Sequence, residues 1–314
     1  MTTLFGRDLL TLGDWTPAEV HLALDRAEMM KRTWKTTAGG RARPLTDKSV
    51  ALIFMKPSMR TRVSFELGVV QLGGTPIVLG SGDAFSRNET VHDTVKVLER
   101  YVDAIVLRTF AQSHVDEVAE VATIPVVNAL TDDYHPCQVL ADLLTIKEHK
   151  GDLAGLTLAY VGDGNNMLNT LMIGCAQVGM DLHAAVPTGY EPLPTAEARA
   201  REIAGQTGSS ITVQEDPTWA VAGADVVVTD TWASMGQEHE HGERTAVFAP
   251  YSCSLDLMSG AKDGAVFMHC LPAHRGEEVH DEVIDSAASI VFDEAENRLH
   301  AQKAVLSLLM GTGS

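Results

Sequence analysis

Cysteine is scarce: Cys137, Cys175, Cys253 and Cys270 are the four in a chain of 314 residues. Their spacing forms neither a disulfide framework nor a CxxC zinc site, and it fits a reducing cytoplasm. Basic residues are also short, 24 Lys and Arg against 42 Asp and Glu, for a formal charge of -18. That deficit argues against a nucleic-acid partner, whose phosphates are held by Lys and Arg, and against an anionic membrane surface. No apolar run reaches the ~18 residues of a membrane span. The opening stretch, MTTLFGRDLLTLGDW, has an acidic residue early and no long apolar core, so no signal peptide is expected. Internal repeats at solenoid spacing and low-complexity segments are missing as well.

What is present is an ordinary globular composition, 45% hydrophobic and 21% charged. Short apolar runs alternate with amphipathic segments of helical length. The predicted strands are 50–55, 76–79, 104–107 and 125–129, then 156–161, 182–186, 211–214, 225–229, 265–268 and 290–292. Such alternation implies an α/β fold with doubly wound parallel sheets covered by helices on both faces. The two series imply two domains, 1–149 and 150–314. His135-Pro136 opens a linking helix with Pro at its first position, and Gly151 closes it. A final helix over 301–310 is expected to return to the first domain.

Ligands of open parallel sheets bind outside the carboxyl ends of the strands, and the polar clusters sit there. Ser58-Met59-Arg60-Thr61-Arg62 follows the first strand, Arg108 ends the third, and His135 comes soon after the fourth. Gly162-Asp163-Gly164-Asn165-Asn166 follows the fifth. Asp230 to Gly236 (DTWASMG) and His269-Cys270-Leu271-Pro272 follow two later strands.

The stretch KPSMRTRVSFE, 56–66, passes from strand to helix. A helix N-terminus presents free backbone N–H groups and a positive dipole end. Arginine adds a fork that matches phosphate or carboxylate. The absence of GxxxxGK[ST] excludes a nucleotide P-loop, so a small phosphorylated molecule is expected. The second glycine-rich cluster is not a dinucleotide fingerprint: Met167 replaces the third glycine, and no acidic residue follows the next strand. Asn165 and Asn166 then either cap a helix or bind a small substrate. His269, Cys270 and His274 raise the question of a metal, but a tetrahedral site needs about four ligands and no fourth is evident. A buried His-Cys pair, a contact to substrate and a nucleophilic Cys remain open.

Taken together these motifs resemble the carbamoyltransferases, most closely the ornithine carbamoyltransferases, along essentially the whole chain. The family's Ser-Thr-Arg-Thr-Arg motif stands here as SMRTR, 58–62, and His-Pro-x-Gln as HPCQ, 135–138. Asp-x-x-x-Ser-Met-Gly stands at Asp230 and 234–236, and His-Cys-Leu-Pro at 269–272. The resemblance implies transfer of a carbamoyl group from carbamoyl phosphate to the δ-amine of L-ornithine, with no metal and no cofactor. By match to the motifs, Ser58, Met59, Arg60, Thr61, Arg108, His135 and Gln138 would hold carbamoyl phosphate. Cys270, Leu271 and Arg298 would lie at the reacting centre. Asn166, Asp230, Ser234 and Met235 would hold ornithine. Arg60, Arg108, His135 and Cys270 would be the catalytic groups. A homotrimer with active sites between subunits is also implied.

Two departures stand out. Met59 replaces the usual Thr, which removes a hydroxyl but no backbone N–H. The loop 81–89 (SGDAFSRNE), which resembles the one a neighbouring subunit inserts, lacks the Gln of many members. Other readings are an enzyme for putrescine or an acylated ornithine, and a non-catalytic protein that binds carbamoyl phosphate. An aspartate enzyme is disfavoured by the 230–236 and 269–272 motifs.

Overall fold

A computed structural model describes residues 4–36, 42–85, 89–233 and 241–311. The chain divides into two compact units. One comprises Met1–Leu144 with Glu296–Ser314, the other Thr145–Ala295. The division at Leu144/Thr145 lies inside the helix Pro136–Lys150 rather than at its end. Gly151, at φ +85, accommodates the left-handed turn that ends this helix.

The first unit carries a four-stranded parallel sheet of order β2-β1-β3-β4. Its strands are β1 (Ser49–Phe54), β2 (Thr75–Gly80), β3 (Ala104–Arg108) and β4 (Val126–Leu130). The second carries a five-stranded parallel sheet of order β7-β6-β5-β8-β9. These strands are β5 (Thr157–Val161), β6 (Asp181–Ala185), β7 (Ile211–Gln214), β8 (Val226–Val228) and β9 (Val266–Met268). Both sheets are the α/β arrangement expected from the alternating pattern. Val50–Ile53 are fully buried, because helices cover both faces and the strand can be apolar without alternation. Burying each Val, Leu or Ile of this kind contributes about 1.5–3 kcal/mol.

In each sheet the strand order reverses once, between β1 and β3 and between β5 and β8. A crevice forms where neighbouring connections leave in opposite directions, and ligands bind there. The helix Met59–Gln71 follows β1, and the helix Asn166–Val178 follows β5. Both therefore start at a reversal point.

One predicted strand is corrected. Residues 290–292 do not form a strand; the helix Val291–Met310 begins there, well before the predicted start at 301. Ser289 makes one parallel bridge to Phe267, and the chain then turns. Ile-Val-Phe suits a strand, but Phe292 is 75% exposed. Asp293 and Glu294 stand in the first helical turn, where carboxylates meet the positive dipole end. The later part of this helix belongs to the first unit. Lys303 Nζ donates to Gln71 Oε1 at 2.9 Å, and Gly6 N–H to the Leu309 carbonyl at 2.9 Å. No helix among the described residues is long and apolar enough to cross a membrane.

Candidate active site

In the first unit the cluster is built on the start of the helix Met59–Gln71. Ser58 is its N-cap, extended at φ -163, and its Oγ accepts from Thr61 N–H at 3.3 Å. Capping leaves the other first-turn N–H groups available to an anion. Thr61 is fully buried, and two guanidinium groups converge on its hydroxyl. Arg298 Nη2 donates to Thr61 Oγ1 at 2.5 Å and Arg108 Nη1 at 3.4 Å. Arg298 also donates through Nη1 to Gln138 Oε1, and Gln138 Nε2 donates to Asp142 Oδ1 at 2.8 Å. The Asp142 carboxylate thereby sets which end of the Gln138 amide meets Arg298.

His135 is buried beside these arginines. Burial first, then the charges of Arg298 and Arg108, hold its imidazole well below the usual histidine range. It is therefore uncharged at neutral pH, with one ring N–H to donate. Cys137, beside it in sequence, is buried with its thiol pushed up to about 12, so it is an inert packing group. The whole is a cluster of cationic groups at a helix N-terminus in a strongly acidic chain.

In the second unit the cluster spans the ends of β5 and β8. Asn165 caps the helix Asn166–Val178: its Oδ1 accepts from Met167 N–H at 2.9 Å and Leu168 N–H at 3.3 Å. Its Nδ2 donates to Asp230 Oδ2 at 2.8 Å. Cys270 Sγ donates to Asp230 Oδ1 at 3.2 Å. Asp163 Oδ2 accepts from Arg244 Nη1 at 2.9 Å. Burial pushes the Asp163 carboxyl up to about 6, against the opposing pull of Arg244.

Glycine at 164 has a local cause. A Cβ there would lie 2.2 Å from the Tyr190 carbonyl oxygen and 2.5 Å from Pro192 N. No side chain fits unless the 190–192 backbone moves. The glycine serves a close approach of two loops, and the resemblance to a nucleotide motif is incidental.

Asp230, His269 and Cys270 bring potential ligand atoms within 4.8 Å of one another. Both ring nitrogens of His269 are nevertheless engaged. Leu271 N–H donates to Nδ1 at 2.9 Å, which puts the proton on Nε2, 3.2 Å from Glu278 Oε1. His269 N–H donates to Glu294 Oε2 at 3.0 Å. The fully buried His269 thus organises a turn in which Leu271 takes φ +57, a conformation that costs energy for a branched residue. The turn delivers Cys270 to Asp230.

The family description "Aspartate/ornithine carbamoyltransferase, carbamoyl-P binding domain" matches residues 7–148, and its "Asp/Orn binding domain" matches 154–309. The chain belongs to the aspartate/ornithine carbamoyltransferase family. A relative from Carboxydothermus hydrogenoformans named "Ornithine carbamoyltransferase" is 54% identical, over 98% of each chain. One of the same name from Bacillus subtilis is 52% identical, covering 99% of this chain and 96% of its own. The solved ornithine carbamoyltransferase of Pyrococcus furiosus is 49% identical and superposes over 100% of both chains with a TM-score of 0.96.

Within this carbamoyltransferase fold the predicted residues fall into two groups. Ser58, Arg60, Thr61, Arg108, His135, Gln138 and Arg298 all belong to the first unit, and Arg298 is tied directly to Thr61 and Gln138. Met59 opens the helix that carries Arg60 and Thr61, but its side chain is 72% exposed. Cys270, Leu271, Asn166 and Asp230 belong to the second unit. Asn165 forms the cap, and Asn166 is the first helical residue. Ser234 and Met235, with Gly236, lie outside the described residues, as do 86–88 of the loop 81–89. Sequence reasoning missed Asp142, Glu278 and Arg244. The signal for Arg244 was slight: one cation after the acidic stretch QEHEHGE, two residues before an apolar pair, Ala246-Val247.

Proposed function

We propose that this protein transfers the carbamoyl group of carbamoyl phosphate to the δ-amine of L-ornithine, giving L-citrulline and phosphate. The observation that carries the reading is the convergence of Arg108 and Arg298 on Thr61, on the helix that also bears Arg60, beside an uncharged His135. Guanidinium groups and helix N–H groups suit the phosphate, and the His135 N–H suits the carbamoyl oxygen. Asp230, held by an amide and a thiol, suits an ammonium group. Ser58, Met59 (through its backbone), Gln138, Cys270 and Leu271 complete the contacts to carbamoyl phosphate. Asn166, Ser234 and Met235 complete those to ornithine.

The chemistry balances without further reagents. The amine nitrogen attacks the carbamoyl carbon, and negative charge develops on the carbonyl oxygen where Arg60 and His135 donate. The carbon–oxygen bond to phosphate then breaks, and the departing phosphate can accept the proton lost by the amine. Donors fixed before the reaction need no reorganisation as charge develops.

The deciding assay offers carbamoyl phosphate with ornithine, putrescine, lysine, N-acetylornithine and aspartate in parallel. Citrulline formation from ornithine, well above product from the others, is expected. Product with putrescine or N-acetylornithine instead would change the acceptor, and none with any amine would leave a carbamoyl phosphate-binding protein.

The same reading places the enzyme in the cytoplasm, in the biosynthesis or breakdown of arginine, as a homotrimer with active sites between subunits. Met59, Val63, Leu67 and Val70 lie along one face of the helix Met59–Gln71 and are all exposed. A contiguous apolar stripe of this kind is a surface a protein partner covers. Sedimentation should give the mass of three chains; a monomer at working concentrations would remove the trimer.

A further inference from the structure

The second unit's cluster contains two carboxylates, and a cation meets one of them. Asp163 follows β5 and Asp230 follows β8, the neighbouring strands where the sheet order reverses. Arg244 Nη1 donates to Asp163 Oδ2 at 2.9 Å and to the Trp232 carbonyl oxygen at 2.8 Å. Its guanidinium carbon lies 4.9 Å from the centre of the Tyr190 ring. Arg244 and Asp163 are both buried. One side chain therefore ties the loop after β5 to the loop after β8 and cancels one of the two charges. Asp230 is met instead by the Asn165 amide and the Cys270 thiol.

We propose that Arg244 is a specificity-determining positioning residue: by neutralising Asp163 and holding Trp232, it leaves one carboxylate, Asp230, for an ammonium group and lets the site accept an acceptor that also bears a carboxylate. The inference rests on the ornithine reading above. Two uncompensated carboxylates in one buried cluster would attract a diamine and repel the carboxylate of an amino acid. With Arg244 in place the balance suits a group carrying an ammonium beside a carboxylate.

Among the described residues, the ionisable groups that face Asp163 are Arg244, Asp230 and Tyr160, with the Gly164 N–H. Its carboxyl, pushed up to about 6, is ionised at neutral pH. Loss of Arg244 removes a charge that lowers it, so the proton is then held to higher pH. As pH rises through that new value, the second charge appears and discrimination against an acceptor carboxylate grows.

The test is the ratio of kcat/KM for ornithine to that for putrescine in Arg244→Met, Arg244→Lys, Asp163→Asn and the Arg244→Met/Asp163→Asn double variant. It is measured between about pH 6 and 9, the range in which such a group titrates. In Arg244→Met the ratio should fall at least about tenfold, the factor that one pKa unit represents, and fall further as pH rises. Arg244→Lys, which keeps the charge, should recover part of it. The double variant, with neither charge, should recover more than Arg244→Met and lose the pH trend. Carbamoyl phosphate affinity by calorimetry should be unchanged, which reports an intact first unit. An unchanged ratio in Arg244→Met, or equal losses for both acceptors with no recovery in the double variant, would overturn the proposal. If Arg244→Met does not fold, the double variant against Asp163→Asn makes the same comparison. Failure of the unsubstituted enzyme to use ornithine would instead sink the ornithine reading itself, before any variant is made.

Discussion

Arg60→Ala is expected to lose at least ~10²-fold in turnover, the scale seen when a fixed donor to a developing oxyanion is removed. Arg108 and Arg298 are buried and committed to Thr61. Arg60 stands in the first turn of the same helix, half-buried, and its side chain makes no hydrogen bond or ion pair among the described residues. Its guanidinium is therefore open to a ligand at the positive end of the helix. Arg60→Lys should rescue little, because an ammonium is a point charge and cannot bridge two oxygens as the fork does. Steady-state kinetics with carbamoyl phosphate varied at saturating ornithine provides the check. Near-normal turnover in both variants would take Arg60 out of the mechanism.

Asp230→Asn should damage ornithine use by up to ~10⁴-fold in kcat/KM, the range found when a buried polar site loses its matched partner. Two causes add. The substitution removes the charge that meets the α-ammonium. It also places an amide N–H₂ against one of two existing donors, Asn165 Nδ2 at 2.8 Å or Cys270 Sγ at 3.2 Å. Carbamoyl phosphate affinity should change far less, since most of its proposed ligands, Ser58, Arg60, Thr61, Arg108, His135 and Gln138, belong to the other unit, and only Cys270 and Leu271 share this one. Intact ornithine kinetics in Asp230→Asn would end the assignment of ornithine as acceptor, while carbamoyl transfer to another amine would stand.

The sheet-forming runs were legible because a strand buried on both faces is apolar throughout, and 50–54 (VALIF) is such a run. Residues 290–292 misled for the same reason: three apolar residues look alike at the start of a helix and in a strand. What separated the two was the use of Glu294, which accepts from His269 N–H at 3.0 Å, a contact between residues distant in sequence. The sequence left Asn165 and Asn166 open between a helix cap and a substrate contact, and the structure gives the cap to Asn165. Its second bond, to Asp230, was not legible, since 65 residues separate them.

The sequence by itself determined the alternation of strand and helix and the placing of polar clusters after strands, because both follow from local pattern. Its motifs also pointed to the carbamoyltransferase family and to Arg60, Arg108, His135, Asp230 and Cys270. Only the tertiary structure decided what these side chains do to one another. It buried Thr61 under two guanidinium groups, left His135 uncharged, spent both nitrogens of His269 on a turn, and gave Asp163 rather than Asp230 to Arg244. These outcomes depend on desolvation and on partners far apart along the chain. Charge and hydrogen bonding in a buried site are set by that three-dimensional surrounding, which no local run of residues encodes.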